Sequence, residues 1–388
     1  MFYELASIAK NYAWGTPGAL SRFTGASDSN LPEAELWFGD HASSQCTIAV
    51  EGTEQSLASW LSTTGNSFPL LVKLLAASQP LSIQVHPNAE DAKWGFAREN
   101  AEGIALDDPK RTYKDTFAKP ELIVALSETF EALWGVVPAS VIRQRIAALE
   151  AGGVSWEVIE TLTAHLGESV GGFVRWALSG DPGLSAVISD IEQWAHDAVV
   201  GSSQPESALD ASLVAKLSQH HSGDAGILFA LVMHHVNLDR GQALFVNPGE
   251  VHAYVEGFGL EVMMPSDNVV RAGLSAKHID VGAFLEFSQI DSRESPGLVQ
   301  PQASSVGLLY SEFPAPFDVV AVDSSVHIDL DATPALVIVE SGSVVLVSDE
   351  KEYSLSQGVI GLATGSSLDL APDEGGHVWV VRSQSLSG

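Results

Sequence analysis

A strand-like segment around residue 84 carries side chains that could ligate a metal ion. In LSIQVHP (residues 81–87), strand alternation turns Ser82, Gln84 and His86 to one face and the apolar residues to the other. Taken alone, this pattern also describes the solvated side of a sheet. An imidazole nitrogen and an amide oxygen two positions apart are, however, both acceptable ligands for a divalent ion. Gln84 and His86 are therefore candidate metal ligands.

Two further segments add a carboxylate and a second imidazole. KPELIVAL opens an apolar strand with Lys119 and Glu121 on a common face. NPGEVHAY follows a Pro-Gly turn with a strand that turns His252 and Tyr254 to the same side. Separately, these patterns are explained by an exposed strand end and by a structural histidine. Only in combination with the first segment do they indicate a site.

The combined candidates form one donor set, with two imidazoles, one carboxamide and one carboxylate from three predicted strands: Gln84, His86, Glu121 and His252. Zinc accepts imidazole and carboxylate readily, and carboxamide oxygen is an acceptable harder ligand. One carboxylate among neutral ligands leaves the ion net positive, and a free position would let it polarise a substrate oxygen. The chain has a single cysteine, Cys46, so a metal site must use nitrogen and oxygen ligands.

A fourth segment places carboxylates and cations close to the same predicted elements. EVMMPSDNVVRAGLSAK runs from Glu261 through Asp267 and Arg271 to Lys277. Arginine offers a planar fork and lysine a point charge, and both suit a phosphate or a developing enediolate. Without the other segments, a surface ion-pair cluster would explain this pattern. Beside a metal site, it indicates a position for an anion.

The composition restricts the partners. The formal charge is −30, from 49 acidic and 19 basic residues, which would repel a nucleic-acid backbone or an anionic membrane surface. The acidity is also compatible with a salty habitat or with solubility alone. No apolar run approaches the roughly 20 residues that span a bilayer, and residues 1–15 lack the pattern of a secretory signal. We expect a cytoplasmic monomer that binds neither nucleic acid nor membrane.

The pattern of elements changes twice along the chain. Up to about residue 137, short alternating segments broken by Gly, Pro, Ser and Asn predict β-structure with long loops. From about Pro138 to His221, apolar residues at helical spacing predict a helical block, with helices near 142–149, 156–166, 171–178 and 184–199. DAGILFALVMHHV (residues 224–236) predicts one more helix. From about Val306, runs such as FDVVAV and HVWVVR predict a separate all-β module.

Four other histidines are predicted to have structural or surface roles. His234 and His235 lie at the end of the last predicted helix, and His220 and His221 lie in a predicted loop. Helix-end stabilisation or plain exposure explains such pairs better than metal binding. They are left out of the predicted site.

Several segments resemble, in order, the motifs of type I mannose-6-phosphate isomerases. They are YAWG (12–15), ELWFGDH (35–41), QVHP (84–87), KPE (119–121), PGEVHAY (248–254) and SDNVVRAGLSAKHIDV (266–281). The resemblance spans about residues 3–285, and the remainder matches mainly in being β-rich. It implies a zinc enzyme that interconverts mannose 6-phosphate and fructose 6-phosphate by proton transfer through a cis-enediol.

The resemblance implies a role for each motif residue. One zinc ion per chain would be held by Gln84, His86, Glu121 and His252. The residues assigned to catalysis are Arg271, Lys119, Glu261 and Asp267, with Arg271 on the enediolate. Those assigned to substrate binding are Trp14, Lys73, Ser82, Tyr254 and Lys277, with Lys277 and Ser82 on the phosphate.

The base that moves the proton stays open. The candidates are Glu261, Asp267, a lysine of lowered pKa and metal-bound water. The position before Lys119 is often histidine in relatives and is Ala118 here. A mechanism that depends on that histidine is therefore in doubt for this chain.

The implied fold is mainly β with a helical insertion. A cupin (jelly-roll) barrel would hold the metal, followed by a second, C-terminal jelly-roll-like module. We expect a catalytic cupin domain at 1–137 and 225–285, a helical insertion at 138–224 and a C-terminal β domain at 286–388.

Two rival functions remain. Another metal-dependent cupin enzyme, such as an oxygenase or a different sugar-phosphate isomerase, could use a similar donor set. Tight zinc binding with oxygen-independent turnover would exclude an oxygenase. A non-catalytic sugar-binding or regulatory cupin could also keep the pocket. The presence of all four ligand candidates together with Arg271 and Lys277 argues against it.

Overall fold

The computed structural model of the protein describes residues 1–27, 30–41, 43–44, 46–201, 209–331 and 333–384. Within these ranges the strands are β1 (Phe2–Ala6), β2 (Thr16–Pro17), β3 (Pro32–Glu33), β4 (Glu35–Gly39), β5 (Thr47–Val50), β6 (Thr53–Ser56), β7 (Leu71–Ala77), β8 (Ile83–Val85), β9 (Glu121–Ala125), β10 (Thr129–Val136), β11 (Met233–Asp239), β12 (Ala243–Val246), β13 (His252–Met263), β14 (Val270–Gly273), β15 (Leu298–Val299), β16 (Gln302–Ser304), β17 (Gly307–Tyr310), β18 (Phe317–Val322), β19 (Val326–Asp329), β20 (Ala335–Ser341), β21 (Ser343–Ser348), β22 (Lys351–Ser356), β23 (Ile360–Ala363), β24 (Ser367–Pro372) and β25 (His377–Ser383). The helices are α1 (Ala19–Thr24), α2 (Leu57–Thr64), α3 (Ala89–Ala101), α4 (Ala139–Ala151), α5 (Trp156–Glu168), α6 (Val170–Ala177), α7 (Leu184–Val200), α8 (Ala211–His221), a 3-10 helix (Ala225–Leu228), α9 (Phe229–Val232) and α10 (Val281–Phe287). The fold is mainly β with a block of helices in its middle, as predicted.

One ten-stranded antiparallel sheet folds into two layers that share β13. The first half of β13 pairs with β10 and β8, and the second half pairs with β7 and β9. The front layer therefore has the order β11-β10-β13-β8-β14, and the back layer has the order β15-β12-β9-β13-β7-β4. Side chains such as Leu75, Ile123, Phe130 and Leu244 fill the space between the layers. This interior is where a buried site can form.

A β-bulge in β13 changes which of its residues face the interior. The register against β10 slips between Tyr254 and Glu256. Before the slip, Tyr254 packs into the interior. After it, Leu260 packs outward, so its neighbour Glu261 faces inward. His252 and Glu261 therefore face the same interior although they lie nine positions apart, an odd offset that regular alternation would turn to opposite faces.

The helical block packs on the outer face of the front layer. Its apolar residues share one core with Ile83 and Val85 of β8 and with Ala253 and Val255 of β13. The four predicted helices correspond to α4, α5, α6 and α7, and α4 ends at Ala151, with Gly152 at its C-cap. Within the described ranges, no helix combines the length and the apolar character that crossing a bilayer would require.

The helix predicted at 224–236 is wrong in its second half. Residues 225–232 form the 3-10 helix and α9, and Met233–Asp239 is strand β11, which pairs with β10 along its length. His234 and His235 are consequently strand residues. The periodicity of a short apolar run does not distinguish a helix from a strand. In this segment, pairing with β10 makes residues 233–239 a strand. The loop predicted for His220 and His221 is also wrong, since both lie in the last turn of α8.

The first 137 residues contain helices as well as the predicted strands. The longest, α3, begins after Asn88, whose side chain accepts hydrogen bonds from the backbone N–H groups of Glu90 and Asp91. Its mixed composition gives no clear apolar period, which is why the strand pattern around it dominated the prediction.

The C-terminal strands form a second pair of sheets. A nine-stranded sheet has the order β16-β17-β18-β25-β20-β23-β1-β5-β6, and a four-stranded sheet has the order β19-β24-β21-β22. The larger sheet packs against the outer face of the back layer through residues such as Ile338, Leu362 and Val381. Strands β1, β5 and β6 thus pair with the C-terminal sheet although they come from the first 56 residues. The proposed domain boundaries remain a prediction.

An ion-pair cluster at the joint between α8 and the front layer should make stability depend on pH. Glu131 of β10 accepts hydrogen bonds from Lys216 of α8 and from His235 of β11. Burial raises the pKa of Glu131, but these two bonds outweigh it and lower the pKa overall. A carboxylate of lowered pKa stabilises the fold above its unfolded-state pKa of about 4.3, and that contribution is lost as the pH falls through the folded-state value.

We therefore expect Glu131→Gln to reduce the free energy of unfolding by about 1–2 kcal/mol at pH 7. Urea denaturation at pH 7 and again below about pH 4 measures the effect, and the difference from wild type should shrink at the lower pH. Glu128→Gln, at an exposed position nearby, is the matched control. An equal loss at both pH values would contradict the assignment.

Candidate metal centre and active-site cleft

Three buried side chains converge between the two layers. Glu121, at the start of β9, has one carboxylate oxygen 3.3 Å from Nε2 of His86 and the other 3.3 Å from Nε2 of His252. The potential ligand atoms all lie within 4.8 Å of one another. Each side chain is at most 1% exposed. Two imidazoles and a carboxylate at such spacing are a donor set that suits zinc.

Hydrogen bonds behind the two rings decide which nitrogen faces the carboxylate. Nδ1 of His86 lies 2.7 Å from the carbonyl oxygen of Asn268, and Nδ1 of His252 lies 3.2 Å from that of Glu250. A carbonyl only accepts, so each Nδ1 donates its proton and each Nε2 presents a lone pair. Nε2 of His86 and Oε2 of Glu121 have no hydrogen-bond partner among the residues that the structure describes. Acceptors held this close without a proton between them require a cation, so these residues fit a metal ion.

The electrostatics favour neutral imidazole and ionised carboxylate. Burial, followed by the charge of Lys119, lowers the pKa of His86 to about 4. Burial raises the pKa of Glu121, but the charge of Lys119, whose Nζ lies 2.9 Å from the carboxylate, holds it well below its usual range. These are the protonation states in which both groups bind metal.

The fourth predicted ligand lies beside His252. Gln84 of β8 is directly opposite His252 in the ladder, and its Nε2 lies 3.3 Å from Nε2 of His252. Since the two atoms of a side-chain amide exchange by a flip, its oxygen can take this position. Arg271 of β14 is directly opposite Gln84 on the other side. Cross-strand partners share a face, so His252, Gln84 and Arg271 form one row across three strands.

A cleft of about 540 Å³ opens beside this cluster. Eight of the predicted residues line its wall: Trp14, Lys73, Ser82, Gln84, Lys119, Asp267, Arg271 and Lys277. The other five are buried behind the wall: His86, Glu121, His252, Tyr254 and Glu261. The structure thus brings all thirteen residues into one region. Tyr254, predicted to bind substrate, is not part of the wall, and the individual roles remain predictions.

Lys73 joins two carboxylates at the cleft. Its Nζ lies 3.0 Å from Oε2 of Glu261 and 3.4 Å from Oε1 of Glu35, and it stands over the ring of Trp37. Burial lowers the pKa of Lys73, but Glu261 and then Glu35 reverse the shift and raise the pKa overall. Lys73 is therefore a fixed cation, which removes it as the lysine of lowered pKa.

Two cations on the cleft wall, Arg271 and Lys277, stand apart from the acidic residues that the structure describes. Among the described residues, no carboxylate lies within ion-pair distance of the Arg271 guanidinium or the Lys277 ammonium. Lys277 instead stands 5.9 Å from the ring of Tyr12. Burial lowers the pKa of both groups, and Arg271 adds to the lowering at Lys277. In a chain with a net charge of −30, unpaired cations facing a cleft indicate a position for an anion.

The two candidate bases lie in opposite environments. Oδ1 of Asp267 lies 3.3 Å from Nε2 of His41, and Nδ1 of His41 accepts a hydrogen bond from the backbone of Ser43. Nε2 therefore carries the proton and donates a hydrogen bond to Asp267, and this bond lowers the pKa of the Asp267 carboxyl. Burial raises the pKa of Glu261, with Lys73 opposing the change. Glu261 is thus the stronger base of the two.

The wall residues that were not predicted from the sequence include four with aromatic or titratable side chains: Tyr12, Glu35, Trp37 and His221. Three of them lie inside the motifs YAWG and ELWFGDH, where no spacing of charges distinguishes them. His221 lies at the end of α8, and its Nε2 is 3.4 Å from the carbonyl oxygen of Pro80. Its place in the cleft depends on how the helical block packs, which no local pattern records.

The two-layered barrel and the His-Glu-His cluster define a metal-binding cupin with a cation-lined cleft. A family model described as phosphomannose isomerase type I, catalytic domain, matches residues 2–138. The mannose-6-phosphate isomerase of Salmonella typhimurium is 32% identical, over 92% of this chain and 93% of its own. That of Escherichia coli K12 is 30% identical, over 96% and 95%. The chain belongs to the mannose-6-phosphate isomerase family.

Solved structures share the whole architecture. A zinc-bound mannose 6-phosphate isomerase superimposes with a TM-score of 0.84 at 28% identity, over 99% of both chains. A variant of the Salmonella typhimurium phosphomannose isomerase gives a TM-score of 0.85 at 27% identity, also over 99% of both. The predicted cupin fold is confirmed.

Proposed function

We propose that the protein is a zinc-dependent isomerase that interconverts mannose 6-phosphate and fructose 6-phosphate. The observation that carries the proposal is the buried set of unprotonated acceptors, beside a cleft whose wall has two cations that form no ion pair with a carboxylate among the described residues. The family and its zinc-bound member support this identity of metal and substrate. Such an isomerisation needs an electrophile at the substrate oxygens, a base at the carbon and an anchor for the phosphate.

The metal would be held by Gln84, His86, Glu121 and His252. When bound, zinc acts as a Lewis acid that polarises the oxygens of the substrate. The protein's own contribution is to fix the ligands in advance. The carbonyl groups of Asn268 and Glu250 orient the two rings, and Lys119 keeps Glu121 ionised.

The phosphate would bind Lys277 and Ser82, with Arg271 nearer the metal. Arg271 lies next to Gln84 in the sheet, whereas Lys277 lies in the loop beyond β14. This order along the wall separates a guanidinium at the reacting end from an ammonium at the phosphate end. A planar guanidinium suits two vicinal oxygens, as in an enediolate.

The proton would be moved by Glu261. Its pKa is raised by burial, so it is a better base near neutral pH than Asp267, whose pKa is lowered by His41. Lys73 holds the Glu261 carboxylate in place through a contact of 3.0 Å. Lys119 and Trp14, which line the cleft, would complete the surroundings of the sugar, and Tyr254 lies behind them.

A coupled assay that follows fructose 6-phosphate formed from mannose 6-phosphate tests the proposal, together with metal analysis of the purified protein. We expect turnover without oxygen and about one zinc ion per chain. Glu261→Gln should lose far more kcat than Asp267→Asn if Glu261 is the base. A protein that holds zinc but binds the sugar phosphate without turnover would instead be the non-catalytic sugar-binding rival.

The localisation, the oligomeric state and the domain boundaries remain proposals. The chain would work in the cytoplasm and as a monomer, and its division into a catalytic cupin domain, a helical insertion and a C-terminal β domain would follow the predicted boundaries. The acidic surface supports a small-molecule substrate over a polyanionic partner.

A further inference from the structure

The chain between the helical block and the barrel crosses very close to the end of β14. A Cβ atom on Gly273 would lie 2.8 Å from Cα of Gly226, and a Cβ on Gly226 would lie 2.8 Å from Cγ of Leu274. Only glycines allow two backbones to approach this closely. The position of β14 and its following loop is therefore tied to the segment that begins at Asp224.

One carboxylate oxygen bonds both sides of this crossing. Oδ1 of Asp224 accepts a hydrogen bond of 2.7 Å from the backbone N–H of Gly226 and one of 3.0 Å from that of Leu274. The first bond caps the 3-10 helix, as aspartate commonly does. The second reaches 50 residues along the chain and has no part in that cap.

The bonded residue has a backbone conformation that needs support. Leu274 has φ of 53°, in the left-handed region that a leucine rarely adopts. Such a conformation persists when neighbouring groups hold it. The N–H bond to Asp224 is in the right place to do so, because it fixes the peptide that enters Leu274.

The residues that follow line the cleft. Leu274, Ser275, Ala276 and Lys277 all belong to its wall, and the direction in which the chain leaves Leu274 sets where the ammonium of Lys277 lies. His221, three residues before Asp224, lines the same wall. The junction of the helical block thus borders the cleft at the end where the phosphate would bind.

We propose that Asp224 is a positioning residue for phosphate binding, which holds Leu274 in its left-handed conformation and so places Lys277. This inference rests on the proposed function, because it concerns the phosphate of the same substrate. Asp224 itself touches neither the metal ligands nor the anion position. It acts through the loop at 274–277.

The test compares a shortening substitution and a substitution of the same length in the full-length zinc enzyme. Asp224→Ser keeps an oxygen that caps the 3-10 helix but is too short to serve Leu274 as well. Asp224→Asn keeps an acceptor of the same reach. We expect Asp224→Ser to raise KM for mannose 6-phosphate, and the inhibition constant of inorganic phosphate, by about five- to tenfold, with kcat changed by less. Asp224→Asn should restore both constants to nearly wild-type values.

A double-mutant cycle with Leu274→Gly separates positioning from general stability. Glycine adopts positive φ without strain, so the loss caused by Asp224→Ser should be smaller in the Leu274→Gly background. Asp210→Ala, which removes the side-chain cap of α8 at a residue outside the cleft wall, controls for a weakened helix. It should leave the inhibition constant of phosphate unchanged.

Each outcome decides the question. Unchanged constants in Asp224→Ser, or a loss in Asp224→Asn as large as in Asp224→Ser, would overturn the inference while wild-type turnover left the proposed function standing. A wild-type enzyme without isomerase activity would instead overturn the proposed function. An equal loss in both Leu274 backgrounds would show that Asp224 does not act through that residue.

Discussion

Removal of the metal with a chelator is expected to abolish turnover of mannose 6-phosphate, with kcat/KM falling by about 10³-fold or more, while the fold is retained. The cluster of His86, Glu121 and His252 has no internal donor, so removal of the cation removes the electrophile that these three residues would hold. Activity measured before and after chelation, with zinc added back, gives the effect. Circular dichroism on the same samples measures the fold.

The fold should survive because the strands that carry the ligands are held by other means. β8, β9 and β13 are paired in one sheet, and apolar cores cover both outer faces of the barrel. Global unfolding on chelation would make the site structural and contradict the prediction. His252→Gln should lower zinc content and activity together. His234→Gln is the matched control, since His234 lies in the same cross-strand row, next to Trp134, but outside the cluster.

Replacement of Arg271 by alanine is expected to lower kcat by about 10² to 10³-fold, with a smaller change in KM. The guanidinium is largely buried, forms no ion pair within the part of the chain that the structure describes, and lies next to Gln84, so it is available for charge that develops on the substrate. Stopped assays over a range of substrate concentrations separate kcat from KM. A near-normal kcat would defeat the assignment of Arg271 to the enediolate.

Two variants control this result. Arg271→Lys keeps the charge but loses the planar fork, so it should recover part of the lost kcat and fall short of the wild type. Arg98→Ala removes an arginine that stacks on Trp94 outside the cleft, and its kcat should match that of the wild type. A loss of kcat in Arg98→Ala would point to a general effect on the protein.

The donor set of the metal site could be predicted because its residues lie in short local patterns. Gln84 and His86 are two positions apart in one strand, and Glu121 and His252 each begin an apolar strand. Local alternation is enough to identify such pairs. Their convergence on one point depends on tertiary structure. The ordered motifs indicated it, and the pairing of β8 with β13 explains it.

Other parts of the site could not be predicted from local patterns. The bulge in β13 puts Glu261 on the interior face, whereas strict alternation from His252 would place it outside. The apolar run at 224–236 contains helix and strand in succession, and pairing with β10 alone decides where one ends. His221 reaches the cleft only because α8 packs against the front layer. These features depend on contacts between distant segments.

The strand β13 also sets a limit on how the chain can change in length. It is continuous from His252 to Glu261 and belongs to both layers. The distance between a proposed metal ligand and the proposed base is therefore set by the number of residues between them in one strand. One insertion or deletion between them would rotate every later side chain to the opposite face. Surface loops elsewhere can change in length, but the number of residues between His252 and Glu261 has to stay constant for both side chains to reach the site.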